Sequence, residues 1–227
     1  MSPLGAPRQH LRVTDSTNQR ARELALAGAP HGTLVTASEQ TAGRGRQGRV
    51  WSAPAGSALL MSLVLREPPR LVPLAAAVAV ASVAGDGARI KWPNDVQIDG
   101  RKVAGILVEG RPQERWAVLG IGLNVAVRVE DLPPELHGTA TTMGLEPGEV
   151  EGVLARLLAE LEAWLSRDEA SVLEAWRSRD ALRGREVTWG GGSGVAEGVD
   201  EDGRLLVRLA DGGVTALDAG EVHLGRG

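Results

Sequence analysis

Of the 25 Lys and Arg residues in this 227-residue chain, only Lys91 and Lys102 are lysine. An ammonium is a compact point charge on a flexible stem and a guanidinium is a planar fork, so these two positions are candidates for chemistry that the fork does not serve. Asparagine is equally sparse, at Asn18, Asn94 and Asn124. Lys91-Trp92-Pro93-Asn94-Asp95 sets a cation, an amide and an apolar ring side by side. Pro93 fixes its own φ and drives Trp92 towards an extended conformation, which would fix the directions of Lys91 and Asn94. A strand end with a turn at Pro-Asn-Asp is the plainer reading. Lys102 and Asn124 lie in the runs Arg101–Glu109 and Gly120–Val125, which contain Gly105, Gly120 and Gly122. Glycine inside a strand costs stability and marks a bulge, tight packing or the close approach of a ligand.

Arginine and glycine interleave in Gly43-Arg44-Gly45-Arg46-Gln47-Gly48-Arg49. Backbone amides and guanidinium groups of such a loop can converge on a phosphate or a carboxylate. A solvated surface loop, or an Arg-Gly segment contacting RNA, would use the same residues. The loop lacks the Gly-Lys-Ser/Thr ending of a P-loop and the strand-to-helix setting of a dinucleotide fingerprint.

These segments need elements to position them. Asp15-Ser16-Thr17-Asn18-Gln19 reads as a helix start, with Ser16 and Gln19 at capping-box spacing and Gly28 as the stop. Thr33–Ala37 and Ala58–Leu65 read as strands, the second buried on both faces, and Leu74–Ala84 as a small-residue helix with Pro73 near its first turn. Asp99-Gly100 between Ile90–Ile98 and Arg101–Glu109 predicts a two-residue hairpin, with Gln97 opposite Lys102 and Asn94 opposite Gly105. Trp116–Val125 is a further strand, and Val150–Leu165 and Ser171–Leu182 read as helices. Near Gly184 the pattern changes. The short runs Val187–Trp189, Val195–Val199, Arg204–Leu209, Val214–Leu217 and Glu221–Leu224 predict a small β-barrel. The expected division is a domain over residues 1–183 and a second over 184–227.

Hydrophobic residues make up 43% and charged residues 24%, a globular balance that excludes wholesale disorder. A net charge of −4 argues against a dedicated nucleic-acid binder. The absence of cysteine excludes disulfides, Cys-ligated metal clusters and thiol nucleophiles. The longest apolar run, Leu74–Ala84, is shorter than the roughly 18–20 residues that cross a bilayer, and the first residues carry no signal core. A cytoplasmic protein without a membrane partner is expected.

Asp-Ser-Thr-Asn at 15–18, Gln40 with Gly-Arg-Gly-Arg at 43–46, Gly48-Arg49-x-Trp51, Lys-Trp-Pro-Asn-Asp at 91–95, Arg-Lys-x-Ala-Gly-Ile-Leu at 101–107 and Gly-x-Asn at 122–124 together resemble the biotin–protein ligases in order and spacing. The resemblance covers roughly residues 11–224. It implies an α+β fold, in which a mixed sheet with flanking helices resembles the catalytic domain of class II aminoacyl-tRNA synthetases and is followed by a small C-terminal β-barrel. It implies a ligase that makes biotinyl-5′-AMP and pyrophosphate from biotin and ATP with Mg2+. The biotinyl group would then pass to a lysine of a biotin carboxyl carrier protein, as in acetyl-CoA carboxylase or a related carboxylase.

The same resemblance implies biotin contacts from Ser16, Thr17, Asn18, Gln40, Gly43, Arg44, Gly45, Arg46, Lys102, Gly105 and Leu107, with Ser16, Thr17 and Gln40 at the ureido end. It implies ATP contacts from Arg46, Arg49, Trp51, Lys91, Asn94, Lys102 and Asn124, with Trp51 stacked on adenine. Lys102, Arg44 and Arg46 form the expected catalytic set, and Asp95 is expected to be a structural partner rather than a base. The magnesium ligands are not implied. The 43–48 loop is expected to be mobile when empty and to close on ligand, shielding the mixed anhydride from water. The barrel is expected to dock the acceptor or complete the site. Relatives of this kind pair through a sheet edge, so a homodimer is one expectation, although nothing in the sequence marks the edge.

Gln47 departs from the pattern, standing where a basic residue is common. With no Tyr or Phe, an apolar ligand body must be lined by aliphatics or Trp. His10, His31, His137 and His223 fall outside the motifs. The 14 residues before Asp15 are too few for the helix-turn-helix domain that some relatives carry, since an average helix takes about 11. The expectation is a monofunctional ligase without operator-specific DNA binding. A lipoate or octanoate ligase or transferase is the nearest rival, and a non-catalytic nucleic-acid-binding module the rival of another class. The Gly-Arg-Gly-Arg and Lys-Trp-Pro-Asn-Asp segments favour biotin. The binding module leaves the placement of both lysines without a reason.

Overall fold

The computed structural model describes residues 3–111, 114–218 and 222–224. Its larger sheet comprises β1 (Arg8–Thr14), β2 (Leu34–Gln40), β3 (Ala58–Arg66), β4 (Arg89–Lys91), β5 (Asp95–Ile98), β6 (Arg101–Arg111) and β7 (Trp116–Asn124). The spatial order is β1-β2-β3-β7-β6-β5-β4. β1 and β2 run parallel and the remaining neighbours antiparallel, which makes the sheet mixed.

The apolar run of β3 serves both faces because successive side chains point opposite ways. Leu59, Met61, Leu63 and Leu65 join the core beneath α2 (Val72–Ala84) and α3 (Val150–Leu165). Val64 faces the other way and meets Ala21 and Ala25 of α1 (Thr17–Leu26). The small side chains of α2 follow from its position, since Val72 and Leu74 to Ala81 are all buried. β1 has no counterpart in the expected elements. Its side chains are largely exposed, so it lacks the apolar alternation by which a strand is read.

Several expected details change. Ser16 is the N-cap of α1, yet its side chain makes no capping bond. Gln40 Oε1 accepts from the Thr17 N–H instead, and Gln19 donates to Glu23, so the capping box does not form. Ile90–Ile98 is not one strand but β4 and β5, separated by Trp92-Pro93-Asn94. The hairpin turns at Asp99 and Gly100, with φ of 50° and 73°, as a two-residue turn requires. Gln97 pairs with Lys102, but an irregularity after Val96 puts Asp95, not Asn94, opposite Gly105. The pairing skips Val103, so one extra residue on β6 shifts the register, as a bulge does.

The helix expected over 171–182 is α4 (Glu169–Ser178), capped by Asp168, whose Oδ1 accepts from Ser171 N at 2.9 Å. The chain leaving α4 joins the sheet edge beside Lys91: Ile90 N donates to Arg179 O, and Ala181 N donates to Ile90 O. It then enters a five-stranded antiparallel sheet of β8 (Glu186–Trp189), β9 (Gly192–Val199), β10 (Leu205–Arg208), β11 (Val214–Leu217) and β12 (His223–Leu224). Its order, β11-β10-β9-β8-β12, leaves β11 and β12 as edges among the described residues; Glu221 lies outside them. Val187, Ala196, Leu205 and Val207 share one continuous core with α2. Among the described residues no helix is long and apolar enough to cross a membrane.

Asp180, at the junction, accepts from Leu182 N at 2.8 Å, while burial pushes its carboxyl above the ordinary value. A raised carboxyl favours the fold at low pH and costs stability as pH rises through its folded value. Asp180→Asn keeps an acceptor for Leu182 and removes the charge. Its urea midpoint is expected to exceed that of the parent at pH 7, with the difference vanishing as pH falls to about 3.9.

Candidate active site

Gly105 on β6 pairs with Gly122 on β7, and Leu107 pairs with Gly120. Three of these four positions are glycine, so the strip carries only the Leu107 side chain, and two groups lie against it. A Cβ at Gly122 would come within 2.5 Å of the Trp51 ring, and one at Gly120 would overlap Asn18 Oδ1. Above this floor is a cavity of about 570 Å3, walled by the start of α1, the end of β2, the 44–52 loop, the 91–95 turn and the β6–β7 strip.

At one end Ser16, Thr17 and Asn18 are buried. Thr17 donates its backbone N–H to Gln40 Oε1 at 2.7 Å, and its hydroxyl lies 3.1 Å from the same oxygen. No acidic residue occupies the first turn of α1. Asp15, just before it, is held below the usual carboxylate range by the Ser16 N–H, with help from Thr14 and Arg20.

The loop folds back on itself: Gly45 N donates to Arg49 O and Trp51 N to Gly43 O. Arg44, Arg46 and Arg49 thereby reach the cavity wall. Burial holds the Arg46 guanidinium below its ordinary value, Asp95 opposes this, and Arg49 adds to it. Arg44 lies 3.3 Å from Glu109.

From the opposite side come Lys91, Asn94 and Lys102. Asn94 is fixed by reciprocal bonds, its Nδ2 donating to Ile106 O and Ile106 N donating to Asn94 O, both at 2.9 Å. Lys102 Nζ sits 2.6 Å from Asp95 Oδ1 and 5.6 Å from the Trp51 ring centroid. Trp92 is buried, and its indole N–H donates to Gly203 O at 3.1 Å, tying this turn to the second sheet. Asn124 Nδ2 donates to Thr141 O, while its buried Oδ1 has no partner among the described residues. That acceptor is available to a ligand.

With one exception, the residues to which the resemblance assigns biotin or ATP contacts line this cavity. Gly43 stands behind it, because a Cβ there would strike the Trp51 carbonyl. His223, which falls outside the motifs, stands on the cavity wall beside Val222 and Leu224. The segment 136–140 was not foreseen either: Lys102 N donates to Thr139 O, and Thr141 N to Lys102 O. Nothing in its composition distinguishes it from an ordinary loop. Ser62 and Glu109 were also missed, although Ser62 is the one hydroxyl in the otherwise apolar run of β3.

Residues 10–125 match the biotin/lipoate A/B protein ligase family, and residues 183–225 match the biotin protein ligase C terminal domain. A biotin--[acetyl-CoA-carboxylase] ligase of Paracoccus denitrificans is 36% identical over 95% of this chain and 99% of its own. The bifunctional ligase/repressor BirA of Bacillus spizizenii is 36% identical over 96% of this chain and 74% of its own. A solved biotin protein ligase from Aquifex aeolicus, in complex with biotin and ATP, is 29% identical with a TM-score of 0.79, covering 98% of this chain and all of the other. Fold, site and these similarities define an enzyme of the ligase class. The chain belongs to the biotin/lipoate A/B protein ligase family.

The Trp92 tie is open to test. Trp92→Phe keeps an aromatic ring but leaves the Gly203 carbonyl without its donor. A loss of about 1–3 kcal/mol is expected in urea denaturation. Proteolysis in the second sheet is expected to quicken as well.

Proposed function

We propose that this chain is an ATP-dependent biotin–protein ligase. It joins biotin to AMP as biotinyl-5′-adenylate with release of pyrophosphate, then transfers the biotinyl group to a lysine of a biotin carboxyl carrier protein. The observation that carries the proposal is the gathering of Arg44, Arg46, Arg49, Lys91 and Lys102 around one cavity whose far end is the polar recess of Ser16, Thr17 and Gln40. The named activities of the Paracoccus and Aquifex relatives support it.

The chemistry needs those cations. A carboxylate must approach an α-phosphate, and two anions about 3.5 Å apart repel by about 5 kcal/mol at an effective dielectric near 20. Cations held in place beforehand offset that repulsion and stabilise the in-line transition state without reorganising. Lys102 and Arg46 serve the reacting carboxylate and phosphate, with Arg44 beside them. Arg49 and Lys91 meet the remaining phosphate charge. Trp51 offers a face to adenine, and Asn94 and Asn124 offer amides to the nucleotide. Met61, Ile106, Leu107 and Ile121 give the ligand's apolar body a wall.

Magnesium is coordinated through one or two carboxylates together with substrate phosphates. Among the described residues no group of three or more His, Asp or Glu side chains gathers to hold a metal, and Asp95 is the cavity's only carboxylate. That fits an ion brought in on the nucleotide, which Asp95 would help to hold and which would supply phosphate neutralisation. In the second step an amine of the carrier attacks the adenylate carbonyl, an amide bond forms and AMP leaves. The glycines of the 43–48 loop allow it to close over the mixed anhydride until the carrier arrives.

ATP–pyrophosphate exchange with biotin, lipoate and octanoate as parallel substrates tests the first step. Exchange with biotin alone is expected; exchange with lipoate or octanoate instead would move the specificity to that acid. Lys102→Arg keeps the charge but replaces the point donor beside Asp95 with a fork. It is expected to slow adenylate formation by about 100-fold or more. A rate near that of the parent would remove Lys102 from the catalytic set.

A further inference from the structure

Glu109 has no role in the reaction as derived above. It accepts from Asn18 Nδ2 at 2.9 Å. This turns Asn18 Oδ1 towards Ser62, whose Oγ is 2.6 Å away, and Ser62 Oγ is 2.8 Å from Thr17 Oγ1. Asn18 and Ser62 are 4% and 0% exposed, so water does not complete these bonds. Gly120 makes room for the Asn18 carbonyl. The chain Glu109–Asn18–Ser62–Thr17 thus runs from β6, two residues beyond Leu107 on the same face, to the wall of the cavity.

Proton counting gives this chain a direction. A carboxylate only accepts, an amide has one accepting and one donating end, and a hydroxyl has a single proton. Asn18 must offer its NH2 to Glu109 and its carbonyl to Ser62, so the Ser62 proton goes to Asn18. The Thr17 proton then has two acceptors within reach, Ser62 Oγ and Gln40 Oε1. Gln40 Oε1 already takes the Thr17 N–H, so Ser62 is the acceptor that draws the Thr17 proton away from the cavity and turns a lone pair towards it. The Gln40 NH2 is left as the donating end. Reversing the chain would set the Asn18 carbonyl against the Glu109 carboxylate.

We propose that Glu109 is a positioning residue that sets the hydrogen-bond polarity of the recess, acting through Asn18 and Ser62 so that Thr17 presents an acceptor beside the Gln40 donor. Resting on the biotin reading, this makes the recess complementary to a ureido group, in which N–H donors flank a carbonyl acceptor. A ring with oxygen in place of an N–H sets lone pair against lone pair at Thr17. The binding preference therefore originates partly at a residue that does not touch the ligand.

The test is titration calorimetry on the full chain with biotin and with its two cyclic carbamate analogues, each having one ureido N–H replaced by oxygen. The parent protein is expected to prefer biotin over at least one analogue. Glu109→Gln can both donate and accept, so it permits the reversed chain, and the biotin-to-carbamate affinity ratio is expected to fall by about tenfold. Glu109 also lies beside Arg44. Ser62→Ala cuts the same chain without touching Arg44 and is expected to lower the ratio in the same way. A merely structural role would weaken both ligands together and leave the ratio alone. Biotin bound by the parent with no preference over either analogue, or an unchanged ratio in folded Ser62→Ala, overturns the inference and leaves the biotin reading standing. A parent protein that binds no biotin overturns both.

Discussion

The site depends on the absence of side chains along a short stretch of two paired strands. Gly105 faces Gly122 across the β6–β7 pair, and Gly120 follows two residues earlier on the same strand. A strand of ordinary residues would hold Trp51 and Asn18 off the sheet by the thickness of a side chain. Here the indole packs against one part of the strip and the Asn18 amide against the other. Glycine inside strands weakens a sheet. The buried run of β3 beside β7, and α2 packed beneath, supply the apolar burial that keeps this part of the sheet intact.

The second organising fact is charge. Several cations converge on one cleft in a protein whose net charge is −4. Each cation with a described partner is held by a carboxylate set behind or beside the cavity: Lys102 by Asp95 and Arg44 by Glu109. Glu109 also orders the buried amide of Asn18. One carboxylate therefore links the cationic loop to the neutral recess. The two ends of the cavity share supports as well as a floor.

Much of this arrangement was legible in the residues, for reasons that differ from place to place. The scarcity of lysine and asparagine pointed to Lys91, Lys102, Asn94 and Asn124 because a biased composition makes an exception visible. The Asp99-Gly100 turn was legible because positive φ at two successive residues admits few residue types. The bulge at Val103 was not, since an extra residue on β6 leaves the apolar pattern nearly unchanged. β1 was invisible because an exposed edge strand carries no period. His223 and the 136–140 segment reach the cavity through long-range packing, for which no local pattern exists. Ser62 carried a signal, a single hydroxyl in an apolar strand, whose meaning required knowing what lay opposite it.

The bond from Trp92 to the Gly203 carbonyl spans 111 positions of the chain. Val222, His223 and Leu224 of the second sheet close part of the cavity wall. Translation proceeds from the N-terminus, so the Lys-Trp-Pro-Asn-Asp turn emerges from the ribosome long before the residues that hold it in place. A nascent chain that has produced Arg44, Arg46, Arg49, Lys91 and Lys102 still lacks a finished cleft. The cleft is complete only once the second sheet has folded, and a chain without that sheet retains the motifs without the architecture that aims them.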